Sequence, residues 1–169
     1  MSRLRSTEGR SARAVHIVDR TDARLLRELE ADPRATVMAL SQRLGLSRNT
    51  VQARITRMES NGVLRGFGTR VDPAALGYPI AAVIITVVRQ QMLSEVSAAL
   101  ARIPEVLEVL GISGNEDLLV HAIASDADDL YRVAARILST PGVERTDTSL
   151  VMRRLVDYRI TQLLDRIAE

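Results

Sequence analysis

The sequence predicts an α+β protein of two domains: an N-terminal three-helix domain with a helix-turn-helix (winged-helix-like), and a C-terminal ferredoxin-like βαββαβ sandwich. Apolar residues recur at helical spacing to about residue 60, and beyond residue 80 aliphatic runs alternate with amphipathic helices in the order β-α-β-β-α-β. Residues 1–70 contain 14 Arg and 7 acidic residues, whereas residues 71–169 contain 9 Arg and 14 acidic residues. A basic first domain joined to an acidic second one favours nucleic acid as a partner of the first alone.

Composition narrows the classes of protein that the chain can belong to. Of its 169 residues 46% are hydrophobic but only 2% are aromatic, so the cores must be aliphatic. The sequence has no Cys, which excludes disulfides and thiol chemistry. The two histidines, His16 and His121, lie far apart and form no ligand cluster for a metal. The longest aliphatic run, Ile80–Val88, is about half of what a membrane helix requires. We therefore expect no cofactor, no membrane association and a cytoplasmic location.

Three short helices are predicted before residue 62, each with a residue that can cap its first turn. The first helix spans 19–31 and is capped by Asp19 or Thr21. The second is capped by Thr36. The third runs from 47 to about 60, is capped by Ser47 and is ended by Asn61-Gly62.

The second and third of these helices predict a helix-turn-helix. Gly45 can adopt the positive φ needed just past a helix end, and Val51, Ile55 and Met58 form one inward stripe on the third helix. The opposite face is small, polar or cationic, which suits a helix in the DNA major groove. An ordinary helical hairpin with a solvated outer face is the alternative. The candidate DNA-binding residues are Arg43, Ser47, Arg48, Asn49, Thr50, Gln52, Ala53, Thr56 and Arg57. Arg54 lies beside the stripe, so we assign it a structural or phosphate-binding role.

The rest of the chain predicts a linker, a sheet domain and a last helix. Val63–Val71 has β character and predicts a wing or a strand leading out of the first domain. We expect Tyr158 to anchor the final helix and His121 to be packed within a strand. In a ferredoxin-like sheet both helices lie on one face, so the other face needs a cover, for which a second subunit is the simplest candidate. The predicted limits are 1–15 for a flexible basic tail, 16–65 for the helix-turn-helix domain, 66–79 for a strand/linker, 80–155 for the ferredoxin-like domain and 156–169 for the C-terminal helix.

Three segments carry a resemblance to a known family over about residues 17–165. They are Val18-Asp19-Arg20-Thr21-Asp22-Ala23-Arg24-Leu25-Leu26, then Leu46–Ile55 with Met58–Leu64, and Gly114-Asn115-Glu116-Asp117-Leu118-Leu119-Val120. In this order they resemble the motifs of the Lrp/AsnC (leucine-responsive/asparagine-type) bacterial transcription regulators. Two positions depart from the family pattern: Ser41 stands where Ala is common, and Leu118 replaces a frequent Tyr.

The resemblance implies a ligand-responsive regulator. Its N-terminal domain would bind double-stranded DNA, and its C-terminal (RAM/ACT-like) domain would form homodimers that assemble into tetramers or octamers. An amino acid or similar metabolite would bind between subunits near the hairpin after the second strand. The implied effector-binding residues are Gly111, Ser113, Gly114, Asn115, Glu116, Asp117, Thr146 and Thr148.

The chemistry of the hairpin suits an amino acid. Asp117 or Glu116 could pair with an α-ammonium group, and the backbone N–H groups of the turn could hold an α-carboxylate. The alternative is a hairpin turn that needs glycine for its geometry and Asp for a local hydrogen bond.

Two other functions fit the same two-domain pattern. One is an enzyme similar to the sirohaem decarboxylases that resemble this family, in which DNA binding is lost. The other is an architectural protein that condenses DNA without an effector. We favour the regulator, located in the cytoplasm with the nucleoid, because the outer face of the third helix remains polar and basic.

Overall fold

The computed structural model describes residues 17–66, 68 and 71–169, so the predicted basic tail (1–15) lies outside the described residues. The described chain forms two compact units. The first combines the residues before the linker with Asp157–Glu169, and the second holds the described residues of Arg70–Val156. In chain order the elements are α1 (Arg20–Ala31), α2 (Val37–Leu44), α3 (Arg48–Ser60), β1 (Ile80–Val88), α4 (Leu93–Leu100), β2 (Val106–Gly111), β3 (Leu118–Ala124), α5 (Ala127–Leu138), β4 (Val143–Leu150) and α6 (Thr161–Ala168).

The first unit is a four-helix cluster around an aliphatic core. Helices α1, α2 and α3 begin at the predicted caps Asp19, Thr36 and Ser47, each of which accepts a hydrogen bond from a backbone N–H in the first turn of its helix. The core combines residues from all three helices with Leu164 of α6. The three-helix prediction is confirmed, and α6 adds a fourth helix that the sequence pattern did not assign to this unit.

The second unit is the predicted ferredoxin-like sandwich. Its four strands are antiparallel in the order β2-β3-β1-β4. Alternate residues of β1, among them Ala82, Ile84 and Val88, are buried in a core shared with α4 and α5. Their neighbours Val83 and Ile85 are only partly buried, because they lie on the opposite face of the sheet.

Two local predictions, a strand within residues 63–71 and the anchoring of the last helix by Tyr158, differ from the structure. The described residues of the 63–71 segment contain no strand. A strand needs a neighbour for its hydrogen bonds, and the glycines of this segment weaken its β preference. The short 3-10 turn at Pro73–Leu76, capped by Asp72, agrees with the turn or single helical turn that the sequence predicts over residues 72–77. The final helix begins at Thr161, and Tyr158 does not anchor it because its surface is 83% exposed.

Candidate functional site

The orientation of α3 follows from its buried stripe. Val51 and Met58 have no exposed surface, and Ile55 packs partly against the same core. At about 100° per residue, this anchoring turns the opposite face outward. Five predicted DNA-binding residues of the helix therefore lie exposed on that face or beside it: Asn49, Thr50, Gln52, Ala53 and Thr56.

Local hydrogen bonds order the start of α3 and part of its exposed face. The hydroxyl of Ser47 accepts a bond from the Thr50 N–H at 3.1 Å, and the hydroxyls of Ser47 and Thr50 lie 2.8 Å apart. Gln52 donates to the hydroxyl of Thr56 at 3.3 Å. Hence Ser47 is a helix cap as well as a candidate contact for DNA.

The arginines among the candidate DNA-binding residues differ in whether a carboxylate of the protein already lies close to them. Arg48 is exposed at the start of α3. Arg43 lies 3.4 Å from both Glu28 and Asp32, which belong to the C-terminal part of α1 and its cap. Such exposed ion pairs are weak, so Arg43 can exchange these carboxylates for a phosphate.

A four-residue ionic cluster joins α1 to α3, and we call it the Asp22 cluster: Asp19, Asp22, Arg54 and Arg57. Asp22 has no exposed surface. Nη1 of Arg54 lies 2.6 Å from Asp22 Oδ1 and 2.7 Å from Asp19 Oδ2. Nη2 of Arg57 donates to both oxygens of Asp22, at 3.0 and 3.1 Å. The two carboxylates therefore neutralise Arg54 and Arg57, two of the three arginines of α3.

The Asp22 cluster also shifts the pKa values of Asp19 and Arg54. The hydrogen bond from Arg54 holds the pKa of the Asp19 carboxyl below its usual value, although some burial opposes this. Asp19 and Asp22 in turn raise the pKa of the Arg54 guanidinium. Asp19 and Asp22 also form a reciprocal capping box at the start of α1. Sequence reasoning assigned neither acid a site role, but their Asp-x-x-Asp spacing before a helix is a signal for this cap.

The cluster opens onto the predicted DNA-binding face. A shallow groove of about 470 Å³ is lined by Asn49, Thr50, Ala53, Arg54 and Arg57. Both arginines thus border the same depression as the neutral side chains that were predicted to read bases. The structural role expected for Arg54 is consistent with its bonds to the two acids.

The predicted effector residues gather around the turn between β2 and β3. Gly111, Ser113, Gly114 and Asn115 are exposed, and Gly114 has a φ of 127° that favours glycine. Asp117 is partly buried: its Oδ2 accepts a hydrogen bond from the Val88 N–H at 2.8 Å, and its Oδ1 accepts one from Gln90. The carboxylate of Asp117 therefore braces the turn against the end of β1.

The other effector candidates fall on both sides of β1. Asp117 donates its N–H to the carbonyl of Thr86, and Thr86 pairs in register with Thr146 of β4. Thr148 pairs with Ile84, which lies two residues before Thr86 in β1. Glu116 lies 3.2 Å from Arg145, so its carboxylate already has a cation. The fold therefore places Asp117 and Thr146 on opposite sides of Thr86 in β1 and leaves Thr148 further from Asp117.

A second concavity, of about 500 Å³, lies within the sheet unit where the linker and the chain after β4 meet the sheet. Its lining includes Tyr78, Leu107, His121, Ile123, Arg153 and Arg154. None of these was predicted as a site residue. The expectation that His121 is packed is wrong, because its side chain is 49% exposed and lies 3.6 Å from Glu108. His121 pairs with Val83 across β1 and β3, so it belongs to the face of the sheet that α4 and α5 leave uncovered.

The described residues contain neither a candidate metal-ligand group nor a helix that could cross a membrane. No group of three or more His, Asp or Glu side chains is arranged to hold a metal ion in this part of the chain. None of the described helices combines the length and hydropathy needed to span a bilayer.

Comparison with known proteins gives the family. The model of the AsnC-type helix-turn-helix domain matches residues 18–59, and the model of the Lrp/AsnC ligand binding domain matches residues 80–161. These two matches cover α1, α2, all but the last residue of α3, and every strand of the sheet.

Individual relatives align over most of this chain. The HTH-type transcriptional regulator FL11 of Pyrococcus horikoshii is 33% identical over 136 residues, which are 80% of this chain and 90% of the relative. The HTH-type transcriptional regulator LrpA of Mycobacterium tuberculosis is 35% identical over 143 residues, or 84% and 95% of the two chains. The feast or famine regulatory protein of Mycobacterium tuberculosis complexed with L-methionine has a TM-score of 0.74 at 32% identity, covering 85% of this chain and 98% of that one. This chain therefore belongs to the Lrp/AsnC family of DNA-binding transcriptional regulators.

Proposed function

We propose that α3 reads DNA sequence through the exposed face that carries Asn49, Gln52, Ala53 and Thr56. The observation that supports this is the complete burial of Val51 and Met58, which leaves the opposite face of α3 to solvent. Amide side chains can pair with adenine in the major groove, and small residues can contact the thymine methyl. Arg43, Ser47, Arg48 and Thr50 would contact the sugar-phosphate backbone at the two ends of the turn.

Selection from a random-sequence duplex library with the wild-type protein tests this proposal. We expect a limited set of enriched sequences, with two half-sites about one helical turn apart if a dimer binds. Binding that stays indifferent to sequence after selection would instead favour the architectural protein. The selected duplex and an unselected random duplex are then the two probes for the variants described below.

We also propose that a free amino acid binds beside the β2–β3 turn and shifts the affinity for DNA. The matched ligand binding domain supports a small-molecule site, and one solved relative was determined with L-methionine. The backbone N–H groups near Gly114 would hold the carboxylate, and Asp117 or Glu116 would pair with the ammonium. Because both acids already have partners, the ligand must compete with Gln90 for Asp117 or with Arg145 for Glu116.

A thermal-shift screen against the common amino acids, including L-methionine, tests the effector. A ligand that binds only the folded state raises Tm with concentration. We expect Asp117→Asn, which keeps an acceptor for the Val88 N–H, to weaken the response at least several-fold. Asp128→Asn, at an exposed position of α5, is the control for charge. An Asp117→Asn protein with an unaltered titration would remove Asp117 from the site.

We further propose that the sheet's uncovered face is an interface between two copies of this chain, which act on chromosomal DNA in the cytoplasm. Ile85, Leu119 and Leu110 lie side by side in register on this face, and Leu110 is 42% exposed. A contiguous apolar face of this kind favours association. Light scattering should give a dimer or a multiple of it, and Leu119→Arg should lower the mass. A monomeric wild-type protein would refute this assembly.

A further inference from the structure

The Asp22 cluster places Arg54 and Arg57 at the DNA-binding face, but the two side chains differ in exposure and in how many of their donors are already bonded. Arg54 is 23% exposed and bonds two carboxylates through Nη1. Arg57 is 43% exposed and reaches Asp22 only through Nη2. A guanidinium has five N–H donors, so the bonds to Asp22 leave the Nε and Nη1 donors of Arg57 for another acceptor. Arg57 is thereby held by one edge while it lines the groove beside Asn49 and Ala53.

We propose that buried Asp22 is a positioning residue for DNA recognition: it withholds Arg54 from DNA and fixes the orientation in which Arg57 meets it. This inference rests on the proposed use of α3 as the reading helix. A flexible arginine can bind any phosphate within reach, which adds affinity without sequence information. Here Nη2 of Arg57 bonds both oxygens of a carboxylate that has no exposed surface, and the planar guanidinium then directs its remaining donors away from Asp22. Asp22 therefore favours specific binding over non-specific binding.

Removing the buried negative charge of Asp22 should reduce the preference for specific over non-specific binding. In Asp22→Asn the amide can still occupy the cap, but it no longer holds either arginine by charge. Arg57 then loses its only carboxylate partner among the described residues and becomes available to phosphates, whereas Arg54 keeps Asp19 and is released only in part. Each additional phosphate contact steepens the slope of log K against log salt by about 0.9. We expect Asp22→Asn to bind the random duplex more tightly and with a steeper salt slope than the wild type. Its ratio of specific to non-specific affinity should fall roughly tenfold or more.

The experiment compares equilibrium binding to the selected and random duplexes over a range of salt concentrations. Glu59→Gln is the matched control. It also removes one negative charge, but from an exposed position of α3 outside the Asp22 cluster. The double variant Asp22→Asn/Arg54→Gln restores the original net charge, so its salt slope should return part of the way to that of the wild type. Circular dichroism establishes that each variant is folded.

A purely structural role for Asp22 predicts a different result. Destabilisation alone lowers the affinities for both duplexes together and leaves the salt slope unchanged. That outcome, or a change equal to that of Glu59→Gln, would overturn the inference. If Asp22→Asn does not fold, Asp19→Asn gives the same readout, since Asn is also a good N-cap and Asp19 shares Arg54. Asp19→Asn should then steepen the slope by a smaller amount, and an unchanged slope would overturn the inference.

Because binding to the random duplex does not depend on sequence reading, this test can fail or succeed independently of the proposed reading role of α3. If no sequence is enriched from the library, specific reading by α3 fails, while the salt slopes still show whether Asp22 restrains the arginines. If specific binding exists but the slopes and the ratio do not change, only the inference fails.

Discussion

Individual arginines in this protein carry the same charge but have different partners. An arginine that is already paired with a carboxylate is less available to bind DNA than an exposed, unpaired one. Arg48 is exposed at the start of α3, Arg43 shares two exposed carboxylates, and Arg54 bonds a buried one. Sequence spacing places all three within or near the helix-turn-helix but does not show that Asp19 and Asp22 lie opposite Arg54. The neutral side chains on the outer face of α3 are therefore the simpler positions at which to test base reading.

Asn49→Ala tests one of these positions. A good amide–base pair contributes about 1–3 kcal/mol of discrimination, so affinity for the selected duplex should fall roughly fivefold to a hundredfold. Affinity for the random duplex should stay close to that of the wild type. Because Asn49 is exposed, thermal unfolding should change little. Equal losses on both duplexes would show that Asn49 does not read bases.

Asp19 makes stability depend on pH in a defined direction. Its pKa in the folded protein lies below the ordinary value of 3.8, chiefly because Arg54 donates to it. A depressed carboxyl pKa stabilises the folded state above the unfolded-state pKa, and this stabilisation is lost as pH falls through the folded-state value. The difference in unfolding free energy between wild type and Asp19→Asn should therefore be present at pH 5–6 and shrink below about pH 4.

Urea unfolding of both proteins at several pH values measures this difference. The carboxyl of Asp129 also has a lowered pKa, through the Ser125 N–H, but it is present in both proteins and cancels. A difference that does not change with pH would contradict the contribution of Asp19.

At the scale of elements, periodicity predicts the helices and strands well where one face is buried. The stripe of α3 and the alternation along β1 were predicted because burial selects apolar residues at a helical or a two-residue period. The strand predicted within residues 63–71 is absent from the described residues of that segment, because a β-like composition forms a strand only where a neighbouring strand is available for pairing. The helix-turn-helix turn depends on a different signal, a glycine with a left-handed backbone.

Gly45→Ala tests that turn. Gly45 ends α2 with a φ of 67°, and a Cβ there would meet no atom within 4 Å. The loss should therefore come from the backbone alone, at about 1 kcal/mol of unfolding free energy. Gly45→Asn should lose less, because Asn tolerates the left-handed region better. Urea denaturation compares the two, and equal stability of wild type and Gly45→Ala would contradict this account.

At the scale of the whole molecule, the chain passes from the helical unit to the sheet unit and then returns to the helical unit as α6. Leu164 of α6 is buried in the core of the helical unit, and Arg27 of α1 lies 2.8 Å from Asp165. Arg20 also donates to the carbonyl of Ala168 at 2.9 Å. The DNA-binding unit is therefore built from both ends of the described chain.

Leu164→Ala should destabilise the helical unit selectively, by about 2–4 kcal/mol, because it opens a cavity in that core. Leu163→Ala, at a position that is 51% exposed, is the matched control and should change little. Hydrogen exchange should show faster exchange in α1 and α3 and unchanged protection in β1 and β3. Equal loss of protection in both units would contradict the assignment of α6 to the helical unit alone.

The sequence by itself determined the order of the elements, the helix caps, the outward face of α3 and the family, because these depend on local periodicity and on residues close together in the chain. Only the tertiary structure decided that Asp22 binds Arg54 and Arg57, that Asp117 braces the end of β1, and that α6 joins the first unit. Each of these is a contact between residues at least 29 positions apart. Such contacts depend on how amphipathic faces pair in three dimensions, and a one-dimensional pattern of apolar and polar residues does not specify the partner of a given face.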